Sequence, residues 1–164
     1  MSLKKSIAAI IGIALLFACG SARQATKSAE EQADAKLVAQ KLDARQYTID
    51  ITYMMPQAGP SKPVDNYSIK VDGENFESWL PYAGRATGVP YGGGKGLTFK
   101  DTIDEYKDSG WDGDKRVITM TVSNDEDTYT YILTVFDNGS ATLNVNARNR
   151  DSISYNGNMV LKKD

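Results

Sequence analysis

The residues best suited to chemistry lie in one segment, LPYAGRATGVPYGGGKG, which spans residues 80–96. Its glycines leave backbone N–H groups uncovered, and successive N–H groups can form a concave site for an anion. Arg85 and Lys95 add positive charge, and no acidic residue occurs between Glu77 and Asp101. The segment is therefore a candidate for contact with a ligand or a partner.

The same segment also has a structural interpretation. Each of its two Pro-Tyr pairs can occupy the central positions of a type I turn, because proline fixes φ and a small residue follows. The nucleotide-binding pattern GxxxxGK[ST] is not completed, since Gly96 follows Lys95 where a hydroxyl residue is required. Ligand contact and a structural corner both stay open. The candidate contact residues are Trp79, Tyr82, Arg85, Tyr91, Gly92, Gly93 and Lys95.

The complete absence of histidine narrows the catalytic chemistry open to this chain. It excludes Ser-His-Asp and Cys-His nucleophilic sites and metal sites built on imidazole. The single cysteine, Cys19, has no partner for a disulfide within the chain. We predict no catalytic residue, no metal site and no cofactor. Whether the protein is an enzyme stays open, and a non-enzymatic role is favoured.

One acidic run, Asn124-Asp125-Glu126-Asp127, could offer carboxylates to calcium. It lacks the spacing of an EF-hand loop. A charged hairpin turn needs no metal, so a solvated turn is the favoured interpretation.

The N-terminus has the features of a lipoprotein signal peptide. Lys4 and Lys5 precede an apolar run over residues 7–17, which is shorter than the ~20 residues that cross a bilayer. Leu16-Phe17-Ala18-Cys19 resembles a lipobox, in which the cysteine is lipidated before cleavage. We expect a cleaved signal peptide over residues 1–18 and a lipidated Cys19, with a tether over residues 19–28. A soluble secreted protein with an unused thiol is the alternative.

These features predict an exported protein of the bacterial cell envelope. Gly20 rather than aspartate follows the cysteine, which favours the outer membrane, and two or three acyl chains give stable anchoring. The net charge is −2 and no basic stripe occurs, which argues against a nucleic-acid partner. The expected partners are the membrane, through the lipidated N-terminus, and an unidentified small ligand or envelope protein.

The remaining chain predicts one helix and then strands. Ser28 and Glu31 fit a capping box, and apolar residues follow at helical spacing, which predicts a helix over residues 29–45. From residue 47 the apolar period changes to two. The segment YTIDITYMM places one set of side chains on a single face: Tyr47, Ile49, Ile51, Tyr53 and Met55.

The later segments predict about eight strands joined mainly by short turns. Asn138-Gly139 is a signal for a type I′ hairpin turn, and residues 107–115 read as turn-rich. Residues 46–164 should therefore form a single antiparallel β domain. We expect a mainly β fold, an antiparallel meander closed as a barrel-like sheet or folded as a two-layer roll.

Several motifs resemble the signature LPYxGRA…YGG…GxxF of a family of predicted lipoproteins from Bacteroides-type bacteria, a domain of unknown function. They are Leu80-Pro81-Tyr82, Gly84-Arg85-Ala86, Tyr91-Gly92-Gly93 and Gly96-Leu97-Thr98-Phe99. The resemblance runs from about Leu37 to the C-terminus, and Ala83 departs from the aromatic expected there. It implies an envelope location and a mainly β domain, and it supplies no catalytic residue.

Three functions follow as hypotheses. The leading one is a lipid-anchored, non-enzymatic binding or interaction module of the envelope, with residues 80–96 as its contact site. The second is a hydrolase of the envelope that uses carboxylates or Arg85 and Lys95. The third is a structural or assembly component of an envelope complex.

Overall fold

The computed structural model describes residues 18–87 and 96–161, with side chains described from residue 29. One helix, α1 (Ala18–Asp43), precedes nine strands in this part of the chain. The strands are β1 (Gln46–Pro56), β2 (Lys62–Asp72), β3 (Asn75–Leu80), β4 (Leu97–Thr102), β5 (Glu105–Asp112), β6 (Lys115–Ser123), β7 (Thr128–Phe136), β8 (Ser140–Ala147) and β9 (Ile153–Met159). The prediction of a mainly β fold after one helix is confirmed, with nine strands rather than about eight.

Helix α1 is longer than predicted at its N-terminal end. It begins at Ala18, so residues 19–28, expected as a tether, are helical and Ser28 lies inside the helix. The segment has no proline and includes five good helix formers, so a nucleated helix can extend through it: Ala22, Arg23, Gln24, Ala25 and Lys27. The predicted signal peptide lies, up to residue 17, outside the described residues. Within the described residues, no helix has the length and apolar character to span a membrane.

The chain divides into two compact units between Ala33 and Asp34. The second unit contains the last turns of α1 and all nine strands. These strands form one curled, half-barrel sheet with the order β4-β3-β2-β1-β9-β8-β7-β6-β5. Strands β1–β4 and β5–β9 are each an antiparallel meander, and the pairing of β1 with β9 joins them. The first and last strands therefore lie side by side at the centre.

Alternate side chains of the strands fill a single core on the inner face of the sheet. Phe76 of β3 and Tyr131 of β7 are fully buried and meet edge to face, with ring centroids 4.6 Å apart. The Tyr131 hydroxyl donates to Ser78 Oγ at 3.2 Å, and Ser78 Oγ donates to the Leu97 carbonyl oxygen at 2.6 Å. The buried hydroxyls are thus satisfied, and they connect β7 to β3 and β4 across the core. Burial raises the pKa of Tyr131 well above its ordinary value.

The last turns of α1 dock on the sheet. Val38 and Leu42, four residues apart and so on one face of the helix, are both buried. Asp43, in the final turn, accepts a hydrogen bond from Arg116 of β6 at 2.7 Å. The same guanidinium also donates hydrogen bonds to the Asp108 carboxylate of β5. These bonds are the main reason that the pKa of Asp108 is lowered. One nearly buried arginine therefore holds the helix end against two strands.

Strand β1 is irregular at Thr52, where its register shifts against both neighbours. Beyond this bulge, Tyr53 is 39% exposed, whereas Met54 is buried. The prediction that Tyr53 and Met55 continue the inner face set by Ile51 is therefore wrong. Because side chains alternate with a period of two, one extra residue moves every later side chain to the opposite face.

Two turn predictions also need correction. Only Gly139, not Asn138, has a positive φ (83°), so the hairpin between β7 and β8 is not a type I′ turn. The Gly139 N–H donates to the Phe136 carbonyl oxygen at 2.9 Å, which gives a longer loop closed by a left-handed glycine.

Residues 107–112 belong to β5 rather than to a turn. As an edge strand β5 exposes most of its side chains, so it lacks the alternation that marks a strand in sequence.

Gly157 allows β9 to pass close to the bulge of β1. A Cβ atom at this position would overlap the backbone oxygen of Asp50 and lie 3.0 Å from its carbonyl carbon. Backbone atoms of a central strand cannot move aside as the end of a flexible side chain can. The close pairing of β1 with β9 therefore depends on glycine here.

We predict that Gly157→Ala lowers the free energy of unfolding by about 1–3 kcal/mol, because the added methyl overpacks the strand pair. Urea denaturation measures the change. Asn158→Ala, at an exposed position on the same strand, is the control and should change stability by no more than about 0.5 kcal/mol. Equal effects of the two substitutions would contradict the proposed role of Gly157.

Candidate functional site

Three loops meet at one end of the sheet. They are the described start of the β3–β4 loop (81–87), the β6–β7 turn (124–127) and the β8–β9 loop (148–152), and together they are called the loop end. Strand β3 starts at the turn of Gly73, whose N–H donates to the Arg45 carbonyl oxygen just after α1. It then runs to residue 80. The loop end therefore lies opposite the end where α1 joins the sheet.

A short ladder ties the base of the glycine-rich segment to the β8–β9 loop. The Thr87 N–H donates to the Asn149 carbonyl oxygen at 2.8 Å, and the Asp151 N–H donates to the Arg85 carbonyl oxygen at 3.0 Å. Ala86 forms an antiparallel bridge with Arg150 between them. The Asp151 carboxylate adds a third hydrogen bond by accepting from the Arg85 N–H at 2.9 Å. Residues 85–87 are thus held in a defined position.

Tyrosine hydroxyls hold the start of the β3–β4 loop, residues 81–87, which is here called the corner. The Tyr82 hydroxyl donates to the Arg85 carbonyl oxygen at 2.9 Å and lies 3.2 Å from that of Asp151. The Tyr155 hydroxyl, from the core, donates to the Pro81 carbonyl oxygen at 2.6 Å. Burial raises the pKa of both phenols, so both stay protonated donors at neutral pH. Gly84 has no room for a side chain, since a Cβ there would lie 2.9 Å from Tyr82 Cζ.

A buried ion pair lies beneath the corner. Arg150 Nη2 and Glu126 Oε2 are 2.9 Å apart, and the two side chains are 5% and 7% exposed. The Arg150 guanidinium also lies over the Tyr82 ring, 5.7 Å from its centroid. The interpretation of residues 124–127 as a solvated turn is therefore wrong for Glu126. The two partners are far apart in sequence, so only the fold brings them together.

Asp127 is also buried, and its carboxylate organises the β8–β9 loop. It accepts hydrogen bonds from the backbone N–H groups of Arg148 at 3.2 Å and Asn149 at 3.0 Å, and from that of Thr128 at 2.8 Å. A carboxylate that accepts several backbone N–H bonds acts as a cap for the loop. In the described part of the chain, no three acidic or cysteine side chains are grouped as a metal site would require.

The structure brings only some of the sequence-predicted site residues together. Tyr82 and Arg85 lie at the loop end, and Arg85 is exposed while its backbone, not its guanidinium, meets Asp151. Trp79 lies on β3 with its side chain on the outer face of the sheet, 56% exposed. Its cross-strand partners are Ser68 and Thr98, so it does not form part of the corner. Tyr91, Gly92, Gly93 and Lys95 lie outside the described residues, and the side chain of Cys19 is likewise not described.

Most of the chain is similar to one known protein family. Residues 28–159 match the model of a family described as a domain of unknown function, DUF4251. The chain belongs to the DUF4251 family. The DUF4251 domain here spans the last turns of α1 and all nine strands. This confirms the family resemblance read from the sequence at the level of a domain of unknown function.

A solved structure of the same family has a similar fold. It is the crystal structure of a DUF4251 family protein from Bacteroides eggerthii DSM 20697 at 1.95 Å resolution. The TM-score is 0.61 with 16% sequence identity, over 78% of this chain and 87% of that chain. At this identity the similarity concerns the fold alone. No curated protein matches the chain.

We predict that Arg150→Met destabilises the DUF4251 domain by about 3–5 kcal/mol, because it leaves the Glu126 carboxylate buried without its guanidinium. Chemical denaturation measures the loss. Lys100→Met is the matched control, since Lys100 forms a 2.9 Å ion pair with Glu77 on the exposed surface. Solvent screens that pair, so its loss should have a much smaller effect. A similar loss for both variants would contradict the role assigned to the buried pair.

Proposed function

We propose that this protein is a lipid-anchored, non-enzymatic component of the bacterial cell envelope, and that its DUF4251 domain is a binding module with the loop end as its contact site. The observation that carries the proposal is the ladder between residues 85–87 and 149–151. It fixes the base of a glycine-rich loop on a rigid sheet, which is the usual arrangement of a binding loop.

The geometry of the corner supports a role in recognition. Binding orders the groups that make contact, and a base that is already fixed reduces that entropic cost. Arg85 is exposed there, so it can offer a charged contact while its backbone holds the corner. The LPYxGRA motif then has two roles at once. Pro81, Tyr82 and Gly84 shape the corner, and Arg85 presents the contact.

The position of the loop end also supports the proposal. Helix α1 joins the sheet at the opposite end, through Val38, Leu42 and Asp43. These last turns of α1 therefore dock away from the loop end. Membrane attachment rests on the lipobox-like sequence before Cys19 and on the charged and apolar segments that precede it.

We predict that Cys19→Ala moves the protein from the membrane fraction to the soluble fraction of the cell envelope, because the acyl chains can no longer be attached. Fractionation followed by immunoblotting measures the distribution. Ser21→Ala, two residues further on, is the control and should remain in the membrane fraction. A Cys19→Ala protein that stays with the membrane would contradict lipid anchoring.

We further predict that a photo-crosslinking amino acid at Arg85 yields a discrete crosslinked product in intact cells, because this position faces the bound partner or ligand. The matched control carries the same amino acid at Asn138, an exposed turn position at the opposite end of the sheet. That variant should yield none. Crosslinking only from Asn138, or from neither position, would contradict the loop end as the contact site.

A further inference from the structure

The outer face of the sheet carries two shallow cavities that the loop end does not include. One, of about 450 Å³, lies between β1 and β2, and the other, of about 350 Å³, extends from β1 over β9 and β8. Both are lined by Thr52. The two cavities, which share Thr52, are together called the outer groove, and their lining includes Asp50, Thr52, Ser68, Thr142, Asn156 and Asn158.

The groove lies where β1 changes register with both of its neighbours, at Thr52. On one side, Ile51 pairs with Tyr67 but Tyr53 pairs with Pro63, so three residues of β2 oppose one residue of β1. On the other side, Thr52 is the extra residue against β9. A bulge bends its strand and interrupts the ladder, and bulges are common beside binding sites. The hollow is thus built into the backbone at the centre of the sheet.

Two exposed aromatic rings flank the groove on this face. Trp79, 56% exposed, is the cross-strand partner of Ser68, whose other partner is Asp50. Tyr53, 39% exposed, is the cross-strand partner of Asn156. Exposed rings beside a polar hollow provide flat apolar surfaces on which another molecule can stack.

The polar groups of the groove define the chemistry of the ligand. Hydroxyl and carboxamide groups dominate, and such groups can both donate and accept hydrogen bonds. Among the residues that line the two cavities, the charged side chains are the carboxylates of Asp50 and Asp65, and no cation lines either cavity. An anionic ligand would be repelled. A neutral molecule with many hydroxyl groups and an apolar ring face matches both the polar lining and the aromatic rings.

The spacing indicates an extended ligand. From Trp79 on β3 to Asn158 on β9 there are three strand spacings, or roughly 14 Å. This distance exceeds the width of one sugar ring. We propose that the outer groove binds a neutral oligosaccharide, which stacks on Trp79 and Tyr53 and forms hydrogen bonds with Asp50, Thr52 and Asn156. The inference requires neither the lipid anchor nor a partner at the loop end.

The two tryptophans of the chain make a direct test possible. In the Trp111→Phe variant, Trp79 is the remaining tryptophan, and its emission reports contact with the groove. We predict that titration of this variant with cellohexaose, maltohexaose or mannohexaose shifts the emission for at least one of these probes. In the Trp79→Ala variant the remaining tryptophan is Trp111 on β5, and its emission should not change.

Calorimetric titration with the same hexasaccharides measures affinity. Trp79→Ala should weaken binding at least about tenfold, through loss of the stacking surface. Trp111→Ala, which removes an aromatic ring far from the groove, should leave affinity unchanged. Circular dichroism confirms that each variant is folded. The proposal is overturned if no neutral hexasaccharide binds, if Trp79→Ala binds as tightly as the parent chain, or if an anionic oligogalacturonate binds as well as the neutral probes.

Discussion

The first and last strands, β1 and β9, pair at the centre of the sheet, between two meanders that each continue outward to an edge. Strands β1–β4 and β5–β9 each pair with their neighbours along the chain, and the pairing of β1 with β9 joins the two meanders in one sheet. The pair is irregular at Thr52, and Gly157 is needed there because its neighbour is the backbone of Asp50. Thr52, which lines both cavities of the outer groove, is therefore also the irregular position of the strand pair that joins the two meanders.

Each end of the sheet has an arginine that is paired with carboxylates, and the end where α1 docks is here called the helix end. At the helix end, Arg116 joins Asp43 and Asp108 and keeps α1 against the strands. At the loop end, Arg150 and Glu126 are buried together beneath the glycine-rich corner. A buried ion pair contributes little net stability but strongly disfavours arrangements that separate its partners. Both pairs thus fix geometry at the places where the chain leaves the regular sheet.

The sequence predicted the features that depend on local pattern. Alternation predicts the buried side chains Tyr47, Ile49 and Ile51 of β1, and apolar residues at helical spacing predict the helix whose Val38 and Leu42 are buried. It could not predict features that depend on distant residues. Nothing local indicates that β1 pairs with β9. The sequence of β5 predicts turns because an exposed edge strand has no alternation. The glycines and Pro-Tyr pairs around Tyr82 and Arg85 indicate an unusual loop, whereas no local pattern indicates that Arg150 is buried beside Tyr82.

Native-state hydrogen exchange tests whether the β1–β9 pair unites both meanders in one cooperative unit. If it does, the amides of Ile49 and Tyr155, on the paired strands, exchange only through global unfolding. They should show the same opening free energy as amides of the β6–β7 hairpin, such as Met120 and Leu133. A lower opening free energy shared by the whole β1–β4 meander, with β5–β9 still protected, would show two separable units and contradict the account.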